Sequence, residues 1–245
     1  MWTTVEISGR PADVFLPQTE AGTEAPTFAG AVIYLHAHGE EKLSEKPEFT
    51  EIFEQHKLPI VCPRGAKSWW LDVICKDFDD ELTPMEFVRR DVTAWIEEQW
   101  GITSPRIALL GISMGGQGAL NLSYRHALKF PVVVAISSAV ELHKAYGYGY
   151  PIDHMFESAE DARQQAPLLH LHPLNWPRFQ FLACDPIDPT WFEGNEILAS
   201  KLASSGVPFE NDFQTSLGGH TWEYFTAMTA KGMTYISTAL QKLRT

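Results

Sequence analysis

The stretch Arg106–Leu120, RIALLGISMGGQGAL, passes from an apolar run through a glycine-flanked serine into a segment with helical spacing. Such an unbroken apolar run is how a strand buried on both faces of a parallel sheet reads. Ser113 therefore stands at a strand-to-helix turn, with Gly111 and Gly115 two positions to either side. A turn this sharp strains the serine backbone, and bulkier flanking residues would collide with the adjoining strand and helix. It also aims the Met114 amide, aided by the positive end of the following helix, at the place where charge develops on an attacked carbonyl oxygen. The competing reading is a glycine-rich turn that merely packs helix on strand.

Working outward, GAVIYLHAHG (30–39), LPIVCPRG (58–65), PVVVAISSAV (131–140) and RFQFLACD (178–185) repeat the apolar pattern. Helical spacing lies between them, in 84–101 with Pro near its start and Gly at its end, and in 195–206. A last helix is expected over 221–243, with Gly232 a point of interruption. TVEISG and ADVFLP read as an antiparallel hairpin joined at Gly-Arg-Pro. Strand, crossover helix, strand is the α/β pattern, which places ligands at the carboxyl ends of the strands. The Tyr-, His- and Pro-rich segment 141–177 is expected as a cap or loop insertion within one domain spanning 1–245.

Composition narrows the partners. With 19 Lys and Arg against 31 Asp and Glu, the net charge of −12 disfavours a nucleic-acid backbone. No apolar run approaches the roughly 18 residues of a membrane span, and the opening MWTTVEISGR lacks a signal-peptide pattern, so a cytoplasmic location is expected. Cys62, Cys75 and Cys184 are odd in number and scattered, unlike a disulfide framework or zinc site. A small molecule is the expected partner, with homo-oligomerisation left open.

A nucleophilic serine needs a base. In α/β-hydrolases the chain order is Ser, then acid, then His, on loops after the late strands. VPFENDFQTSLGGHTWEYF (207–225) presents His220 on such a loop. Asp185 and Asp188, in CDPIDPTWFEGN, both qualify as the acid; an Asx-turn beside proline is the alternative role. A second oxyanion donor is expected from the loop at YLHAHGE (34–40), where His38-Gly39 resembles the His-Gly pair of many esterases and so implies the amide of Gly39 or Glu40. His36 and His38, two apart on one strand, also fit the opening of a metal-dependent amidohydrolase site. Trp69, Trp70 and Tyr148, with Tyr146 and Tyr150, are expected to overhang the cleft and shorten it.

Together YLHAHG, PRGAKSWWLD, GISMGGQGAL, VVAISSAV and GGHTWEYF resemble the esterase family of α/β-hydrolases that includes S-formylglutathione hydrolase, tributyrin esterase and feruloyl-esterase-like enzymes. The resemblance spans about residues 30–225. It implies an α/β-hydrolase fold, a mostly parallel sheet with helices on both faces, and a serine esterase that needs no cofactor or metal. By its frame the nucleophile is Ser113, the base His220 and, in the pattern Cys-Gly-x-x-Asp, the acid Asp188. Asp185 then stands where relatives carry glycine. Arg64 likewise departs from their Asp, and the ending GGHTWEYF departs from that of S-formylglutathione hydrolase. Ester hydrolysis is the expected activity; thioester hydrolysis or acyl transfer would use the same residues, and a silent binding module would use only the pocket.

Overall fold

The computed structural model describes residues 1–18 and 28–244. Among these, the sheet holds β1 (Trp2–Ile7), β2 (Arg10–Phe15), β3 (Ala31–Leu35), β4 (Ile60–Pro63), β5 (Ile107–Ile112), β6 (Val132–Ile136), β7 (Phe179–Ala183) and β8 (Glu210–Asp212). They lie in the order β1-β2-β4-β3-β5-β6-β7-β8. The pairs β1–β2 and β2–β4 are antiparallel and every later pair is parallel. The opening hairpin forms as expected, but its turn falls at Ser8 and Gly9, both at positive φ. Such a two-residue turn matches the twist of the flanking strands, which leaves Arg10 and Pro11 inside β2.

The helices are α1 (Pro47–His56), α2 (Pro84–Glu86), α3 (Thr93–Trp100), α4 (Met114–Arg125), α5 (Ile152–Met155), α6 (Ala159–Gln164), α7 (Phe192–Ser204) and α8 (Trp222–Lys242). A π-helical stretch, Phe87–Val92, joins α2 to α3. Successive strand residues point to opposite faces, so each strand feeds two cores. Ile33, Leu35, Leu109 and Val133 pack under α3, α4 and α7, through Ile96, Leu120 and Leu198. Val32, Tyr34, Leu110 and Val134 pack under α1 and α8, through Phe53, Met228 and Ile236. Each such fully buried aliphatic side chain contributes about 2 kcal/mol, and this two-sided burial is why the strands read as continuous apolar runs.

Gly232 does not interrupt α8. A Cβ there would lie 2.7 Å from Val134 Cγ1, so glycine lets the helix seat closely on β6. Segment 141–177 folds into 3-10 turns at Leu142–Ala145 and Pro167–Leu169 with α5 and α6 between them, and Leu142, Ala145, Ile152 and Ala162 join the α4-side core. No helix among the described residues is long and apolar enough to cross a membrane.

Candidate active site

Four strand ends converge at one edge of the sheet, and each delivers one part of the site. Ser113 follows β5 directly, at φ 56° and ψ −116°, with α4 beginning at Met114. That conformation is costly for a residue with a Cβ and persists only where its surroundings hold it. Here Ser113 N–H donates to the Ile136 carbonyl at 2.8 Å, and the Ser113 carbonyl accepts from Gln117 and Ala139. The glycines are explained by contact. A Cβ on Gly115 would come 1.9 Å from the Leu35 carbonyl oxygen, and one on Gly111 would come 2.0 Å from that of Gly115.

From Ser113 a hydrogen-bonded chain runs outward. Asp188 Oδ2 lies 2.8 Å from His220 Nδ1, and His220 Nε2 lies 3.0 Å from Ser113 Oγ. A carboxylate can only accept, so Nδ1 carries the proton and Nε2 is left to accept from the serine hydroxyl. Burial opposes the charge on Asp188, but the His220 contact and the Thr190 and Trp191 amides outweigh it and hold the carboxyl below its ordinary value. His220 sits edge-on to Phe225, and Thr221 caps α8 by accepting from the Tyr224 amide, so the ring is held one residue ahead of the helix cap.

Asp185, the other candidate acid, does not reach His220 through any hydrogen bond. Its buried carboxylate accepts from Ile187, Leu217 and Gly219 amides and from the Ser216 hydroxyl. Burial opposes its ionisation too, and these donors again prevail, holding its carboxyl low.

A cleft of about 390 Å³ opens over Ser113 and Met114, walled by His38, Trp69, Tyr148, Tyr150, Lys144 and Trp191. Lys144, at 2.5 Å from Glu141 and 3.2 Å from Glu193, brings a balanced charge. Sequence reasoning missed Lys144 and Trp191. The latter had a legible signal, since it lies three residues past Asp188 and its amide is capped by that carboxylate. Tyr146 turns away, its hydroxyl donating to the Glu157 carbonyl.

Trp70, expected in the cleft, lies in the core instead. Its ring is 1% exposed, crosses His36 at 4.8 Å and donates from Nε1 to the His36 carbonyl. The cause is the backbone: Trp69 and Trp70 both take positive φ, which turns one ring to the cleft and the next inward. Trp70→Ala is expected to cost about 3–5 kcal/mol of stability by opening a cavity, read as a lowered midpoint in denaturant unfolding. Trp69 stays with the cleft, its carbonyl accepting from buried Gln117 at 2.6 Å. Gln117 continues to Asn121, which donates to the Gln165 carbonyl, and Arg125 joins Asn121 to Gln165 and His170.

Gly39 and Glu40 stand outside the cleft lining. The Glu40 amide donates to Ala37, closing a turn, and its carbonyl accepts from Arg64. His38 is the residue of this loop that borders the cleft. Nor do His36 and His38 converge as a metal pair. His36 Nδ1 meets the Ala37 carbonyl and Nε2 accepts from the Gly65 amide, while burial pushes its pKa down to about 4. His38 instead packs edge-on to Tyr150 at 4.6 Å.

An eight-stranded, mostly parallel sheet carrying a strained serine at the end of β5 and a histidine loop after β8 defines an α/β-hydrolase. The family model described as "Putative esterase" matches residues 10–234, and the chain belongs to that family, within the carboxylic ester hydrolase class. An acetyl esterase of Caldicellulosiruptor saccharolyticus is 23% identical over 206 residues, covering 76% of this chain and 74% of its own. The diacylglycerol acyltransferase/mycolyltransferase Ag85A of Mycobacterium tuberculosis is 25% identical over 213 residues, or 72% of this chain and 62% of the relative. Among solved structures, substrate-bound FphF, a fluorophosphonate-binding serine hydrolase of Staphylococcus aureus, superposes with a TM-score of 0.80 at 15% identity over 97% of both chains, a likeness of fold.

Proposed function

We propose that this protein hydrolyses small carboxylic esters through a Ser113–His220–Asp188 triad. The observation that carries the reading is the unbroken hydrogen-bonded chain from a buried carboxylate to a strained serine on the floor of an open cleft. Ser113 Oγ attacks the ester carbonyl carbon while His220 Nε2 takes its proton. The carbonyl π electrons move to oxygen, where the Met114 amide and, in place of Gly39 or Glu40, the His38 amide receive the charge. Collapse of that intermediate breaks the bond to the alkoxy group, which leaves with the proton from His220. Water, deprotonated by the same His220, then attacks the acyl-serine and releases the acid. Asp188 holds the imidazole tautomer and stabilises the imidazolium between these steps.

Large rings at Trp69, Tyr148, Tyr150 and Trp191 fill the space a long acyl tunnel would need. The substrate is therefore a small ester with a short or compact acyl group, and the reading involves no nucleic acid, membrane or cofactor. Three buried free thiols support a reducing, cytoplasmic setting. A second reading, acyl transfer to an acceptor other than water, draws on the acyltransferase relative and uses the same residues. Turnover of p-nitrophenyl esters from acetate to dodecanoate tests the proposal. Acetate or butyrate is expected to turn over fastest, with free acid as the product. Dodecanoate turning over fastest would refute the short cleft, and an absence of all turnover would refute the esterase reading.

A further inference from the structure

We propose that Asp185 is a positioning residue that sets the spacing between the Asp188 loop and the His220 loop, so that the imidazole meets both of its partners. This rests on the triad reading above.

Asp185 ends the run out of β7 and is fully buried. Its carboxylate is saturated by four donors drawn from two loops. Oδ1 accepts from Ile187 N–H at 3.0 Å and Ser216 Oγ–H at 2.9 Å, while Oδ2 accepts from Leu217 N–H at 2.6 Å and Gly219 N–H at 2.9 Å. Its backbone carbonyl also accepts from the Asp188 amide at 2.9 Å. One side therefore holds the residues just before the acid, and the other holds three of the four residues just before the base. Those contacts are what a polar clamp needs if it is to fix a distance, because each loop is held at more than one point. Gly218 and Gly219, both at positive φ, bend the second loop so that the Gly219 amide turns inward onto Oδ2.

The chemistry calls for a carboxylate here. Two oxygens with roughly four lone-pair sites can accept from four donors, whereas an amide offers one oxygen and would set its own N–H groups against two of the donors. A glycine here would offer no side-chain acceptor at all. The chain has thus placed a buried anion beside the triad whose charge is met by amide and hydroxyl dipoles and, among the described residues, by no basic side chain. A buried carboxylate left without any of these donors would carry a full desolvation penalty, so its charge draws the two loops onto it and holds them at one spacing.

The test uses Asp185→Asn in the intact chain, with Ser216→Ala as a milder second variant. In Asp185→Asn, kcat is expected to fall roughly ten- to hundredfold, as small misplacements of reacting groups do, with KM unchanged within about twofold. The far-downfield proton resonance of the His220 Nδ1–H···Asp188 bond is expected to broaden or vanish while the remaining amide spectrum stays folded. A merely structural role would lower the unfolding temperature and leave that resonance and kcat in place, which overturns the proposal. If Asp185→Asn does not fold, Ser216→Ala decides: a severalfold lower kcat with a shifted resonance supports the clamp, and no change in either refutes it. Wild-type protein that takes up no fluorophosphonate would instead reject the triad reading itself. Labelled wild type with an unaltered Asp185→Asn variant rejects the clamp alone.

Discussion

Ser113→Ala is expected to abolish ester turnover, with kcat falling by a factor on the order of 10⁶, as when a triad nucleophile is removed. A fluorophosphonate should add one adduct mass to the wild-type chain and none to the variant. The loss follows from the turn itself. Ser113 Oγ is the atom that meets His220, and the Ser113 backbone is engaged with Ile136, Gln117 and Ala139. Alanine therefore keeps the strained turn, the Met114 amide and the cleft while losing the attacking oxygen. Residual hydrolysis some 10³- to 10⁴-fold above water would remain from oxyanion binding alone. Ser113→Ala retaining even about a hundredth of wild-type kcat, far above that floor, would show that another group makes the bond.

Asp188→Asn is the second large effect, with kcat expected to fall about 10³- to 10⁴-fold while the fold is kept. The amide oxygen can still cap Thr190 and Trp191, as Oδ1 does now. The amide N–H₂ would then face His220 Nδ1 and force the proton to Nε2, where it blocks acceptance from Ser113. Asp188 is a carboxyl whose folded-state value lies below its unfolded one, so it adds stability above about pH 3.9 and loses it as pH falls through the lowered value. The Asn variant should accordingly show a flatter loss of stability in acid, measured by denaturant midpoints across pH 2–5. A steep acid limb in that variant would place the titrating group elsewhere. Near-normal turnover in Asp188→Asn would mean the acid had been misassigned.

What could be read from the chain alone follows from where regular physics applies. The strands were legible because both faces of the sheet are covered, which makes Val32 and Ile33 equally apolar neighbours. The pairing of Ser113 with His220 was legible because the glycine flanks mark the serine turn and chain order marks the late histidine loop, whereas Asp188 was separated from Asp185 only by the resemblance to the esterase frame. Trp70 was not, since two consecutive left-handed residues break the period by which faces are assigned. Glu40 was not either, because capture of its amide by Ala37 is a turn contact that no side chain announces. The reach of Asp185 into the 216–219 loop was hidden by some thirty intervening residues, and Gly232 looked like a breaker because sequence does not reveal what presses on a helix.

The polar ladder along α4 has a mechanical corollary. Gln117, Asn121 and Arg125 stand four residues apart, so they rise in a single file along a helix whose first residue adjoins Ser113. The Trp69 carbonyl hangs from the first rung and the Gln165 carbonyl from the second. Any shift of this helix carries the seryl turn and that side of the cleft as one body, preserving the gauge between them. On the opposite side Tyr148 lies between Gly147 and Gly149 and is 72% exposed, and among the described residues no hydrogen bond ties it to α4. The backbone to either side of it is tied instead to the Asp153 carboxylate within its own segment. The cleft is thus a vice with one fixed jaw and one adjustable jaw, and its bore can be retooled from the tyrosine side without disturbing the alignment of the serine.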